Sequence, residues 1–265
     1  MSVQIEGAKV LLTGATGGLG QAIARFLCAR GARLVLAARR TEILEPLAEE
    51  LGAELRAVDL ADAGAVARLG EESVDVDVLV ANAGLPGSGR LESFTIEQID
   101  RTLDVNLRAP IVLTHALAPR MVERGRGSLV YVSSLSGKAA APGGSLYSAT
   151  KFGLRGFALC LRIDLRGTGV GVTTVNPGFI RDAGMFHESG AKLPPGVGTK
   201  TPADVARAVV RAIERAPAEI DVAPAALRAG ASIGGLAPGF AEAVGRKLGA
   251  DKISRGMAER QASKR

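Results

Sequence analysis

Tyr147 and Lys151 stand four residues apart in Ser145-Leu-Tyr-Ser-Ala-Thr-Lys151, at the start of a segment of helical character. On a helix this spacing puts both side chains on one face, one turn apart. A free tyrosine, with a pKa of roughly 10, is a poor acid or base near neutrality. An ammonium one turn away favours the phenolate and is expected to lower that pKa, so that the hydroxyl can exchange a proton with a substrate oxygen. The pattern alone is weak, since helix surfaces produce it often. Its weight comes from Ser134, which ends Leu129-Val-Tyr-Val-Ser-Ser134. That run predicts a buried strand ending in hydroxyls, and strand ends of parallel sheets are where ligands bind.

A second constellation lies near the N-terminus. Lys9–Thr13 predicts a short apolar strand, Gly14-Ala-Thr-Gly-Gly-Leu-Gly20 a tight turn, and Gln21–Arg30 a helix. Glycines at 14, 18 and 20 let the backbone approach a phosphate at a helix N-terminus, where free N–H groups and the helix dipole favour an anion. Strand before and helix after separate this arrangement from a merely flexible turn.

The elements that must position these groups follow from the rest of the chain. Its 265 residues, 47% of them hydrophobic, suit one sizeable domain with a full core. Strand-like runs at Lys9–Thr13, Arg33–Ala38, Glu54–Val58, Val76–Ala81, Ser128–Ser133, Gly171–Asn176 and Ile220–Val222 alternate with helical ones. Such alternation predicts a parallel sheet covered by helices on both faces. The only long irregular stretch expected is Phe179 to Thr201. Cys28 and Cys160 fall in helical segments and are expected to be buried small hydrophobes. His115 and His187 have no ligand-like spacing, and no metal site is predicted. The N-terminus lacks the pattern of a secretory signal, and no apolar run reaches spanning length, so a cytoplasmic location is expected. Net charge is +6, but the segment after Gly245 carries seven basic residues against two acidic ones. The basic balance therefore belongs to a solvated tail. Peripheral membrane contact through that tail is a weaker expectation. Nucleic-acid binding is not expected, because the tail has no aromatic residues for stacking.

From Ile5 to Val222 the motifs resemble the short-chain dehydrogenase/reductase family, in its single-domain Rossmann branch. Thr13, Gly14, Gly18 and Gly20 match its glycine motif. Ala81-Asn-Ala-Gly84 matches its Asn-Asn-Ala-Gly motif with the first Asn replaced. Asn106, Ser134, Tyr147 and Lys151 fall on its catalytic positions, and Asn176-Pro-Gly178 on its Pro-Gly motif. The resemblance implies a three-layer α/β/α sandwich with a mostly seven-stranded parallel sheet. Residues 1–224 would form the NAD(P)-binding domain with the catalytic site, and 225–265 a helical extension and basic tail. Tyr147 would exchange the proton, Ser134 would place the substrate oxygen, and Lys151 would act on Tyr147 and the nicotinamide ribose. Asn106 would hold a water linking Lys151 to solvent. Cofactor contacts would come from Gly14, Thr16, Gly17, Gly18, Leu19 and Gly20, from Arg39, Asp59 and Leu60, from Asn82, Ala83 and Gly84, from Tyr147 and Lys151, and from Pro177, Gly178 and Ile180.

The resemblance also implies a cofactor preference. Members that prefer NAD carry an acidic residue at the end of the second strand; here Ala38 stands there, followed by Arg39, whose guanidinium suits a 2′-phosphate. NADP(H) is expected to be preferred, with NAD(H) accepted more weakly, since Gly17 stands where some members add a second basic residue. Asp182 replaces a threonine usual after the Pro-Gly motif. The C-terminus lacks the usual glycine-rich strand and looks more like the branch with retinol- and steroid-dehydrogenase-like members. The expected substrate is an apolar alcohol or carbonyl compound. Its pocket would be walled by Leu85–Gly87, Ala139–Pro142, Leu146, Phe179 and a lid over Met185–Pro195, with Arg90, Lys138, Arg181 and Lys192 toward solvent. A homodimer or homotetramer is expected. Two alternatives are a 3-oxoacyl thioester reductase and a nucleotide-sensing regulator without catalysis; the complete Asn106, Ser134, Tyr147 and Lys151 set disfavours the latter.

Overall fold

The computed structural model describes residues 3–191, 193, 197–239 and 242–243 of the chain. Seven strands form one parallel sheet in the order β3-β2-β1-β4-β5-β6-β7. They are β1 (Lys9–Thr13), β2 (Arg33–Ala38), β3 (Glu54–Ala57), β4 (Val78–Ala81), β5 (Gly127–Val132), β6 (Val170–Pro177) and β7 (Glu219–Val222). Every predicted strand is present, with ends displaced by up to two residues. β6 runs longest at both ends because it pairs with β5 along six residues and with β7 through Pro177.

Pleating divides the core. Val10 and Leu12 face one side of β1 and Leu11 the other, all fully buried. One side packs Val10, Leu12, Val78 and Val130 against Ile23 and Leu27 of α1 (Gly18–Cys28), Leu47 of α2 (Glu45–Leu51) and Val209 and Ile213 of α8 (Pro202–Arg215). The other packs Leu11, Leu79, Leu129 and Tyr131 against Leu69 of α3 (Ala63–Glu72), Leu113 and Leu117 of α5 (Ala109–Glu123) and Leu154 of α6 (Ser145–Asp164). Both faces of every central strand are covered, which is why these strands read as unbroken apolar runs. The layering is that of a Rossmann-type α/β/α sandwich.

Several expectations need correction. α1 begins at Gly18, not Gln21, because extended Gly17 is its N-cap and the glycines after it already take helical geometry. The stretch from Phe179 to Thr201 is not wholly irregular: it contains α7 (Gly184–Ser189) and a parallel bridge between Ile180 and Lys200. Cys28 is only half-buried and Cys160 is exposed, since their helices turn those faces outward. α4 (Ile96–Leu103) leads into a π-helical turn, Asp104–Arg108, and α9 (Ala225–Leu236) follows β7. The basic tail after Gly245 lies outside the described residues.

Candidate active site

α6 and the end of β5 bring the first constellation together. Ser134 follows β5, and its Oγ accepts from the Ser136 amide at 3.1 Å, capping a short 3₁₀ turn, Leu135–Gly137. Tyr147 and Lys151 lie on the first two turns of α6, and Tyr147 borders the same cavity as Ser134, whose Oγ donates to the Pro177 carbonyl at 3.5 Å. Lys151 is 3% exposed. Its Nζ donates to the Val132 carbonyl at 3.0 Å and sits 5.6 Å from the centre of the Tyr147 ring. All three residues line one small cavity of about 110 Å³.

The electrostatics differ from the expectation that Lys151 depresses the Tyr147 pKa. Burial pushes the phenol up to about 12, with the nearby Ser134 hydroxyl acting in the opposite direction. Burial also pulls the Lys151 ammonium down to about 8. Desolvation penalises both charged forms, and at this site it outweighs the attraction that spacing alone suggests. The hydroxyl is therefore held as a protonated donor.

Asn106 lies in the π-helical turn, fully buried. Its Oδ1 accepts from the Leu85 amide at 2.6 Å, and its Nδ2 donates to the Leu85 carbonyl at 3.0 Å and to Thr150 Oγ1 at 3.4 Å. It fastens the segment after β4 to α6. Its side chain and Lys151 Nζ both lie close beside Gly84.

The second constellation borders a larger cavity of about 640 Å³, lined by Gly14, Thr16 to Gly20, Arg39, Asp59, Leu60 and Asn82 to Gly84. A side chain on Gly20 would put its Cβ 2.3 Å from the Gly14 carbonyl oxygen, so the turn can close only around glycine. Gly17 offers no side-chain cap to α1, which leaves the first-turn amides open to an anion from the cavity. The Asn82 carboxamide does not reach outward; it donates to the carbonyls of Thr13 and Gly14, both at 3.1 Å, and ties β4 to the glycine turn. At the far end Arg39 is exposed on the cavity rim. A cavity with an uncapped helix start at its middle, a cation at one end and a tyrosine-lysine pair beyond the other fits a phosphorylated dinucleotide.

Pro177, Gly178 and Ile180 line the small cavity, not the large one, together with Leu19, Ala183, Met185 and Phe186. Ala183 lies where a Cβ on Gly18 would come within 2.5 Å, so the segment after β6 lies directly over the glycine turn. Asp182 is exposed and pairs with Arg181 at 3.5 Å, pointing its charge away from both cavities. Lys192 and Pro194–Pro195 of the expected lid lie outside the described residues. Lys138 is not on the solvent side. Its Nζ donates to both Asp221 oxygens, at 2.8 and 2.9 Å, and lies 3.3 Å from Glu219, while Arg155 pairs with Glu219 at 2.6 Å. β7 brings these carboxylates beneath the turn that follows Ser134, and Asn176 donates to both. Arg101, which sequence reasoning missed, lines the larger cavity through α4, and Met185, expected in the lid, lines both cavities through α7.

Comparison with known proteins agrees with this arrangement. A family model described as short chain dehydrogenase matches residues 8–194. The chain is 37% identical over 195 residues to dehydrogenase/reductase SDR family member 7B of Bos taurus, a match covering 68% of this chain and 60% of that protein. It thus spans less than two thirds of that relative. It is 35% identical to the ketoacyl reductase HetN of a Nostoc strain, covering 82% of this chain and 79% of that one. Among solved structures, a short-chain dehydrogenase from Sphingobium yanoikuyae in complex with NADPH superposes with a TM-score of 0.72 at 29% identity, covering 81% of this chain and 87% of that one. The chain belongs to the short-chain dehydrogenase family of oxidoreductases.

Proposed function

We propose that the protein is an NADP(H)-dependent oxidoreductase that interconverts a carbonyl and an alcohol on a small apolar substrate, with Tyr147 as proton donor. The observation that carries this is the convergence of Ser134, Tyr147 and buried Lys151 on one cavity that Pro177 and Gly178 also line. When bound, the nicotinamide supplies or accepts the hydride. Ser134 donates to the substrate oxygen and orients it toward the phenol. Tyr147, held protonated by burial, gives its proton to that oxygen as charge develops there. Lys151 binds the nicotinamide ribose and carries positive charge below pH 8 or so. Asn106 keeps the Leu85 segment against α6 and supports the route by which a water reaches Lys151. The protonated resting phenol is the form that donates in carbonyl reduction.

The preference for NADP(H) rests on Arg39, which lines the cavity directly after Ala38, so that the last position of β2 carries no carboxylate to repel a 2′-phosphate. The substrate class rests on the small cavity, whose other walls include Leu19, Ile180, Met185 and Phe186 and no charged residue except Lys151 among those described. We further propose that residues 1–224 form the catalytic domain, with the remainder an extension. A homo-oligomer and a cytoplasmic location fit this picture; among the described residues no helix is long and apolar enough to cross a membrane. Similarity to the Nostoc ketoacyl reductase supports a second substrate class, the 3-oxoacyl thioesters. The test is a panel of ketones, aldehydes, 3-oxoacyl thioesters and alcohols assayed by cofactor absorbance with NADPH and NADH. Turnover of apolar carbonyls with NADPH is expected. A marked preference for anionic substrates or for NADH would overturn the respective assignment.

A further inference from the structure

We propose that Arg101 is a positioning residue that selects the base of the cofactor, by holding Asp59 as an oriented carboxylate acceptor at the far end of the larger cavity. This rests on the assignment of that cavity to a nicotinamide adenine dinucleotide. Asp59 follows β3, and Arg101 stands 42 residues further on in α4. The guanidinium spans the carboxylate, with Nη2 donating to Oδ1 at 3.1 Å and to Oδ2 at 3.0 Å. The Ala61 amide donates to Oδ1 at 3.0 Å. Both side chains line the cavity and both are only part-buried. As a contribution to stability such a pair is minor. Its value lies in where it leaves the carboxylate.

The bond count shows the consequence. A carboxylate has two oxygens and about four acceptor positions. Oδ1 serves Ala61 and Arg101, whereas Oδ2 serves Arg101 and keeps capacity to spare. With the pyrophosphate at the start of α1 and the nicotinamide toward Tyr147, the other nucleoside must extend past the end of β2 toward β3. Asp59 and Arg101 stand there. An adenine offers an amino group that donates to a carboxylate; a 6-oxo base offers a carbonyl that a carboxylate repels. Arg39 lines the same cavity and also attracts Asp59. Without Arg101 the carboxylate would be drawn to Arg39, turning away from the base.

The experiment measures dissociation constants of NADPH and of its hypoxanthine counterpart by fluorescence titration, for the full chain and for Arg101→Ala and Arg101→Lys. The unaltered protein should bind the adenine form about tenfold more tightly, as expected for one hydrogen bond to a charged acceptor. Arg101→Ala should lose most of that ratio by weakening the adenine form alone, and Arg101→Lys, which keeps the charge on a shorter side chain, should fall between. Equal weakening of both dinucleotides, or an unchanged ratio, would overturn the proposal: the first would make Arg101 a phosphate cation or a structural residue, the second a bystander. NADH measured alongside keeps the outcomes separate, because it carries the same base without the 2′-phosphate. Loss of the NADPH preference would refute the Arg39 assignment and leave the base comparison intact. Failure of every dinucleotide to bind would overturn the cavity assignment and this proposal with it.

Discussion

Replacing Lys151 by methionine should abolish turnover and yet raise the melting temperature of the cofactor-free protein. Burial lowers the Lys151 pKa from 10.5 to about 8. At about 1.4 kcal/mol for each tenfold change in proton affinity, holding the ammonium costs the fold about 3 kcal/mol at neutral pH. Methionine keeps the apolar stem but loses the bond to the Val132 carbonyl, a loss of about 1 kcal/mol. The net gain of about 2 kcal/mol corresponds to a rise of roughly 4–8 °C for a chain of this size. The pH dependence gives a second check. The folded-state pKa lies below the unfolded one, so between about pH 8 and 10.5 the unfolded chain binds the extra proton and wild-type stability rises with pH. The advantage of Lys151→Met should therefore shrink by about 1 kcal/mol between pH 7 and pH 9. Urea melts of both proteins at the two pH values test this. A variant no more stable than wild type at pH 7, or a gap that does not narrow, would refute the claim that the ammonium is held at a net cost.

Tyr147→Phe should lower turnover by at least about 10²-fold while leaving the NADPH dissociation constant within about twofold, measured by initial rates and titration. Arg39→Ala should weaken NADPH by about tenfold and NADH hardly at all, since only the former presents a phosphate to the lost guanidinium; equal weakening of both would count against it. Glu219 is brought to about 2 by Arg155 and Lys138 in spite of burial that works against its charge. Its stabilising contribution is present above its ordinary pKa of about 4.5 and fades as pH falls toward 2. Lys138→Met should therefore destabilise the protein by about 2 kcal/mol at pH 7 and by less near pH 3, read from urea melts; equal losses at both would show that packing, not charge, is at stake.

The parts of the site legible in the sequence are those whose partners are close along the chain. Tyr147 and Lys151 share one helix, and the glycine turn is bounded by its own strand and helix, so period and spacing suffice. The sheet was legible for a related reason: β1, β4 and β5 are buried on both faces and carry unbroken apolar runs. What escaped depends on tertiary placement. Arg101 meets Asp59 only because α4 docks beside the end of β3. Lys138 reads as a surface cation until β7 delivers Asp221 and Glu219 beneath it. The direction of the Tyr147 shift escaped for the same reason. A lysine four residues away is visible in the chain, but the loss of water around both groups is not. α7 was missed because its six residues are too few to show a helical period.

The central claim is hydride transfer to a carbonyl carbon with Tyr147 supplying the proton. NADPH carrying deuterium on the reactive face of its nicotinamide, incubated with the best apolar ketone of the panel, tests it directly by mass spectrometry of the alcohol formed. One deuterium is expected on the carbinol carbon with the wild-type protein and no labelled alcohol with Tyr147→Phe, although both proteins bind the cofactor. Tight cofactor binding without deuterium transfer to any carbonyl tested, or label transfer that persists unchanged in Tyr147→Phe, would contradict it.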